Sequence, residues 1–224
     1  MAAIDLLFDV KRDSERLHQL VLGALLQRTA LLGRLVPLPS PPSQLQLHWE
    51  PEGKTYDLGL SLGFDDAAGK TARRGRVLVE IKLDGAVNED QLAQQCNPSR
   101  LHADDRLLIL LLGYSAMTSD RAGLRERVRR IGEHTARPEL LDRVSLRDAD
   151  DLIPLLADPA ILPGGPDHRD ARDLSAAYRD ALLALSERTR RFTDKPLVDW
   201  QDGDYFGFFA ACRSRNLGSM GRAR

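Results

Sequence analysis

Thiols are scarce in this chain of 224 residues: Cys96 and Cys212 are its only two cysteines. Two thiols without metal-ligand spacing exclude a disulfide scaffold and a zinc finger, and they fit a reducing cytosol. Lysine is scarce too. Of 32 basic residues only five are Lys (11, 54, 70, 82 and 195), which leaves 27 Arg. Arginine suits bidentate phosphate contacts, although GC-rich coding produces the same bias. No apolar run approaches the ~20 residues that span a bilayer, which predicts a chain without a membrane partner. The first residues lack the basic start and apolar core of a signal peptide, so a cytoplasmic location is expected. The formal net charge is −1, which excludes an overall basic nucleic-acid sponge. His48, His102, His134 and His168 show no ligand spacing, Gly63, Gly69 and Gly75 form no phosphate loop, and Ser61 and Ser115 sit in no nucleophile elbow.

What is present is an ordinary soluble composition, 42% apolar and 29% charged, on a length that fits one domain with or without an appendage. Leu17, Leu20, Val21, Ala24, Leu25 and Leu31 recur at helical spacing, with Asp13 or Ser14 as caps, which predicts a helix over 13–32. Pro37, Pro39, Pro41 and Pro42 end it. Alternation at Leu45, Leu47 and Trp49, a turn at 50–54, and alternation again over 56–62 predict a hairpin. Residues 64–75 are polar with two glycines and read as a loop. Residues 76–83 are nearly all apolar and predict a central strand buried on both faces.

The later part alternates strand and helix. A short helix is expected over 88–96 with Asn88 as its cap, a strand over 107–114, and an Arg-rich helix over 120–134. A strand over 144–146 and a helix over 149–157 follow. This order predicts an α/β sheet with at least one crossover. Pro159, Pro163, Gly164, Gly165 and Pro166 read as a linker, followed by an amphipathic helix over 170–191. Trp200, Tyr205, Phe206, Phe208 and Phe209 cluster near the end. Such a cluster stacks bases, packs a helix or makes a protein interface. The division expected is a core over 1–157 and a helical extension over 158–224, its aromatic cluster followed by a basic tail.

The strand over 76–83 ends in Glu80-Ile81-Lys82, and its alternation puts Glu80 and Lys82 on one face. Asp57 lies on the preceding strand-like run. Phosphodiester hydrolysis needs an activated water, a polarised phosphate and a stabilised leaving oxygen, and carboxylate-held divalent ions serve all three. Asp57, Glu80 and the Ile81 carbonyl are candidate ligands for Mg²⁺ or Mn²⁺, with Lys82 beside the attacking water. The bland alternatives are a charged pair on a strand and an aspartate that ends a hairpin.

Tyr56-Asp57, 22 intervening residues, then Glu80-Ile81-Lys82 resembles the core of the PD-(D/E)XK nuclease superfamily. The resemblance covers roughly residues 13–156. It implies a restriction-endonuclease-like α/β core, a small mixed β-sheet flanked by helices, here with a helical C-terminal extension. It also implies a Mg²⁺-dependent nuclease acting most readily on DNA rather than RNA. Glu15 resembles an extra acidic residue that some branches place at the metals, and Gln91 a glutamine that several use near the site. The Asn88-x-x-Gln91-Leu92 run resembles a branch common in bacterial defence and restriction loci, which implies a role against foreign DNA. The chain departs from the family in having Tyr56 for the usual proline and Gln95 where an aromatic partner is usual.

Arg73, Arg74 and Arg76, just before the strand, are candidate phosphate contacts because their loop is expected near the substrate. Arg121, Arg125 and Arg129 share a helix face and are candidates too, with a solvated face as the alternative. The rival functions are an inactive nucleic-acid-binding module and a protein-interaction module. In the latter, the C-terminal region holds a protein partner or a second copy.

Overall fold

A computed structural model describes residues 15–51, 55–66, 69–83, 87–113, 119–162 and 169–193. Five strands form one mixed sheet in the order β1-β2-β3-β4-β5. They are β1 Gln44–Trp49, β2 Leu58–Asp65, β3 Thr71–Lys82, β4 Arg106–Leu111 and β5 Val144–Asp148. The first three are antiparallel neighbours, whereas β3, β4 and β5 run parallel. Helices link the parallel strands because such pairs need a crossover. They are α3 Glu89–Gln95 between β3 and β4, then α4 Arg121–His134 and α5 Leu140–Arg143 between β4 and β5. The first helical run is broken into α1 Glu15–Arg28 and α2 Leu31–Leu35, while α6 Ala149–Ala157 and α7 Arg169–Thr193 follow β5.

Side chains alternate across the sheet and divide the core in two. Leu58, Leu60 and Leu62 of β2, Val77, Val79 and Ile81 of β3, and Leu108 and Leu110 of β4 join α1, α2, α6 and α7. Leu78, Leu107, Ile109 and Leu111 face the other way, against Leu92 of α3, Leu124 and Val128 of α4, and Leu140 of α5. The two-sided burial expected of the third strand is therefore present, and β4 shares it. Tyr178, Leu182 and Leu185 of α7 lie in the same cluster as α1 and the sheet, so this helix is part of the main core. Among the described residues no helix is long and apolar enough to cross a membrane.

The cap expected at Asn88 forms, and Asp120 and Asp148 cap helices as well. Asn88 accepts a hydrogen bond from the Asp90 amide and Asp120 one from Ala122, so α3 and α4 start where their sequences place them. Asp148 and Asp151 close a reciprocal capping box on α6. The loop expected over 64–75 is a correction. β2 continues to Asp65 and β3 begins at Thr71, with Phe64 opposite Arg73 and Asp65 opposite Thr71. Backbone pairing holds this part of the hairpin together, so its polar side chains give no apolar signal. The turn is tightened by Gly69 at φ +70, whose amide reaches Asp66 O, and by Asp66 Oδ1 accepting from the Lys70 amide. The aromatic cluster expected after residue 199, and the caps at Asp13 or Ser14, lie outside the described residues.

Leu108 is fully buried on a strand covered on both faces. Leu108→Ala is expected to cost about 2–5 kcal/mol, read as a lower urea midpoint at unchanged slope.

Candidate active site

The site forms where β2 stops alongside β3. The last pair of their ladder is Leu58 with Val79. One residue earlier, the Asp57 amide still donates to Val79 O at 3.0 Å. Beyond that point β2 offers no backbone acceptor, and the Asp57 side chain substitutes for it: Oδ2 accepts from the Ile81 amide at 2.6 Å. Backbone groups alternate sides along a strand, so the Ile81 carbonyl also heads toward the Asp57 side. The second Asp57 oxygen, Oδ1, accepts from Gln19 Nε2 at 2.8 Å. Glu15 stands one turn before Gln19 on α1 and adds negative charge beside Asp57.

Glu80 is 3% exposed, on the face of β3 that carries Leu78. A buried carboxylate needs donors, and three side chains supply them. Lys82 Nζ lies 2.5 Å from Oε1. Gln91 Nε2 donates to the same oxygen at 2.7 Å, and Gln95 Nε2 to Oε2 at 2.8 Å. Gln91 and Gln95 are one helical turn apart on α3, so a single helix face grips both carboxylate oxygens. Gln95 Nε2 also reaches Thr55 O at 3.1 Å, and Tyr56 Oη donates to Gln95 O at 2.6 Å. Gln95 is itself fully buried, and its Oε1 is an orphan acceptor among the described residues.

Asp57 is electrostatically unusual. Burial, chiefly, together with the charge of Glu80, pushes its pKa up to about 7, against the opposing pull of the Ile81 amide and Lys82. The negative charge of Glu80 thus adds to burial in disfavouring ionisation of Asp57. Asp57, Glu80, Lys82, Gln91, the Ile81 backbone and Glu15 all gather around this one point. Sequence reading missed Gln19 and undervalued Gln95. Their signals were available: each stands four residues after another candidate, Glu15 or Gln91, on a helix face turned to the site.

The arginines do not gather there. Residues 73–76 are strand rather than loop, at the opposite end of β3. At ~3.3 Å per residue, Arg74 lies roughly 20 Å before Glu80. The loop expected here is corrected, because pairing with β2 makes these residues part of β3. Arg73 is paired with Asp104 at 2.6 Å and Arg76 with Asp105 at 2.7 Å. On α4, Arg121 is drawn to Asp148 at 2.6 Å and Asp151 at 3.1 Å, and Arg129 lies between Glu126 and Glu133. Arg125 is exposed.

The donor set suits a hard divalent cation. Asp57 and Glu80 offer oxygen only, and Asp57 Oδ1, Asp57 Oδ2 and Glu80 Oε2 each retain a lone pair beside one hydrogen bond, whereas Glu80 Oε1 already takes both Lys82 and Gln91. Among the described residues no three His, Cys, Asp or Glu side chains form a ready metal-binding group. A Mg²⁺ ion would therefore rely on two carboxylates, the Ile81 carbonyl and its own waters.

The raised pKa of Asp57 has a definite consequence for stability. Its folded value of about 7 lies above the ordinary 3.8. Stability from the neutral carboxyl is thus full below about pH 4 and lost as pH rises through about 7. In chelator, wild type is expected to lose about 2–3 kcal/mol more than Asp57→Asn between about pH 5 and pH 8. Urea unfolding of both proteins at the two pH values checks this. Comparison with known proteins returns no matching family model, no matching curated protein and no matching solved structure, so the site is read from its own geometry.

Proposed function

We propose that this chain is a divalent-metal-dependent nuclease with a restriction-endonuclease-like core, cutting phosphodiester bonds in DNA in preference to RNA. The observation that carries the reading is the meeting of Asp57 and Glu80 at the end of β3, with Lys82 on Glu80 and the Ile81 backbone on Asp57. An acid whose pKa is raised by burial and, beyond that, by the charge of Glu80 is poised to exchange a proton for a cation. The family resemblance of Asp57, Glu80 and Lys82 supports the same reading, and a role against foreign DNA follows from that resemblance.

Asp57, Glu80 and the Ile81 carbonyl hold the metal in this proposal, with Glu15 as an additional carboxylate at the rim. Bound there, Mg²⁺ or Mn²⁺ supplies Lewis-acid polarisation of the phosphate and lowers the pKa of water. Lys82 keeps N–H donors beyond the one on Glu80, and these orient the attacking water. In the overall reaction, the water oxygen forms a new bond to phosphorus. The bond to the leaving sugar oxygen breaks, and that oxygen takes the electron pair and a proton. Gln91 and Gln95 hold the Glu80 carboxylate in one orientation, and Gln19 does the same for Asp57.

A second reading has an observation of its own. Every oxygen of both carboxylates already accepts a protein hydrogen bond, which favours a binding module that keeps the fold without turnover. Plasmid incubated with purified protein and Mg²⁺ separates the two. Cleavage is expected from wild type and a drop of roughly 10²-fold or more from Lys82→Ala and Glu80→Ala. Equal cleavage by all three proteins would sink the assigned site, and DNA binding without cleavage, indifferent to chelator, would favour the module. Mg²⁺ is also expected to raise the melting temperature of wild type near neutral pH, and to do so less for Asp57→Asn.

A further inference from the structure

The outer edge of β1 carries a self-complementary pattern. The Glu50 amide donates to Asp57 O at 3.1 Å, which fixes the parity of the β1–β2 ladder. Pairs two residues apart repeat that inward bonding, so Gln44, Gln46 and His48 turn their backbone groups to β2. Leu45, Leu47 and Trp49 turn theirs outward, on the side of β1 that no strand among the described residues pairs. Natural edges are blunted by lysine, proline, bulges or inward charges. β1 has no charged residue and no proline from Gln44 to Trp49.

The flank of this edge is apolar. Leu47 and Trp49 pack over Gly23 of α1, so close that a Cβ there would meet Leu47 Cδ2 at 3.0 Å and the Trp49 ring at 3.2 Å. Arg16 lies over the Trp49 ring at 5.0 Å. Leu20 falls between Arg16 and Gly23 on the same helix face. Leu20 is 46% exposed and Trp49 40%. Among the described residues, an unpaired edge and a half-exposed apolar strip thus run side by side.

We propose that β1 pairs with β1 of a second copy of this chain, antiparallel about a two-fold axis through Leu47. In that register Leu47 meets its own counterpart and Leu45 meets Trp49. All three outward-facing positions then exchange both backbone hydrogen bonds, and the apolar faces of both strands lie on the same side. Gln46 meets His48 on the polar side. A two-fold axis sets each central residue against its own copy, so a charge at the centre would be repelled, and this strand has none. The two α1 helices flank the seam on its apolar side, each offering Leu20 to it. The result is a continuous ten-stranded sheet. This seam is independent of the nuclease reading and distinct from a dimer through the C-terminal region.

The test uses the full chain. Sedimentation at tens of micromolar is expected to show a dimer, and Leu20→Glu to weaken it at least about tenfold. Register is read with two variants on a Cys212→Ser background, Gln46→Cys and His48→Cys. Both positions are exposed and their substitution leaves the core intact. Opposite residues of a non-hydrogen-bonded pair lie about 4.5 Å apart between Cα atoms, within disulfide reach. A disulfide-linked dimer is therefore expected on mixing the two variants and not from either alone. A monomer at these concentrations overturns the proposal, including the case in which the chain's own C-terminal segment covers the edge. A dimer that fails to cross-link in the mixture also overturns it, since the contact then lies elsewhere.

Discussion

A carboxylate buried at the end of an apolar strand constrains everything around it. Glu80 sits on β3 among residues that water scarcely reaches. An uncompensated charge there would cost several kcal/mol. The compensation comes from Lys82 two residues on and from Gln91 and Gln95 across the crossover. Placing those two glutamines fixes the rotation of α3. That rotation also buries Leu92 against the sheet and leaves Cys96 in the core. The packing of this layer and the polar network are therefore one solution to one problem. Neither half stands alone, because a grip on Glu80 without the apolar face of α3 would leave the helix unanchored.

The opposite layer meets a matching demand. α1 crosses the other face of the sheet with Val21, Leu22 and Leu25 in the core. Gln19, near its N-terminal end, reaches Asp57. Helices from both faces of the sheet thus contribute to one site, α1 through Asp57 and α3 through Glu80. The two acids are tied into separate clusters and can hold their separation against mutual repulsion. That repulsion, added to burial, keeps the Asp57 pKa near neutrality. Stability is stored in the neutral form and released when the site is charged, which couples protonation to anything that binds there.

Much of this was legible in the sequence for identifiable reasons. Asn88 and Asp120 are strong cap residues placed just before helical periodicity, and both cap. Residues 77–82 and 107–111 lack polar interruption apart from Glu80 and Lys82, and both lie in strands covered on two faces. Glu80 and Lys82 share a face because strand alternation allows no other outcome. The hairpin end at 64–75 was not legible, because its strands are held by backbone bonds that no side-chain pattern reports. The fate of the arginines was equally hidden. Arg76, Arg121 and Arg129 find acids 29, 27 and three or four residues away. Helical spacing announces only the last of these.

The site is placed by a mismatch in the sheet. β3 is the strand at which pairing changes from antiparallel to parallel. β4 keeps company with it as far as Lys82, where Lys82 O accepts from the Leu112 amide at 2.7 Å. β2 leaves earlier, at Leu58. On that side the Ile81 amide would be a buried donor without an acceptor, which native proteins rarely tolerate. Asp57 resolves this with a side-chain oxygen, and in doing so is carried toward Glu80. An asparagine could accept from the Ile81 amide, but its NH₂ would then face the Gln19 donor. Two donors, one on the backbone and one on α1, therefore favour a side chain with two oxygens at position 57. The fork between β2 and β3 thus specifies a carboxylate for structural reasons at the very point where Glu80 specifies another.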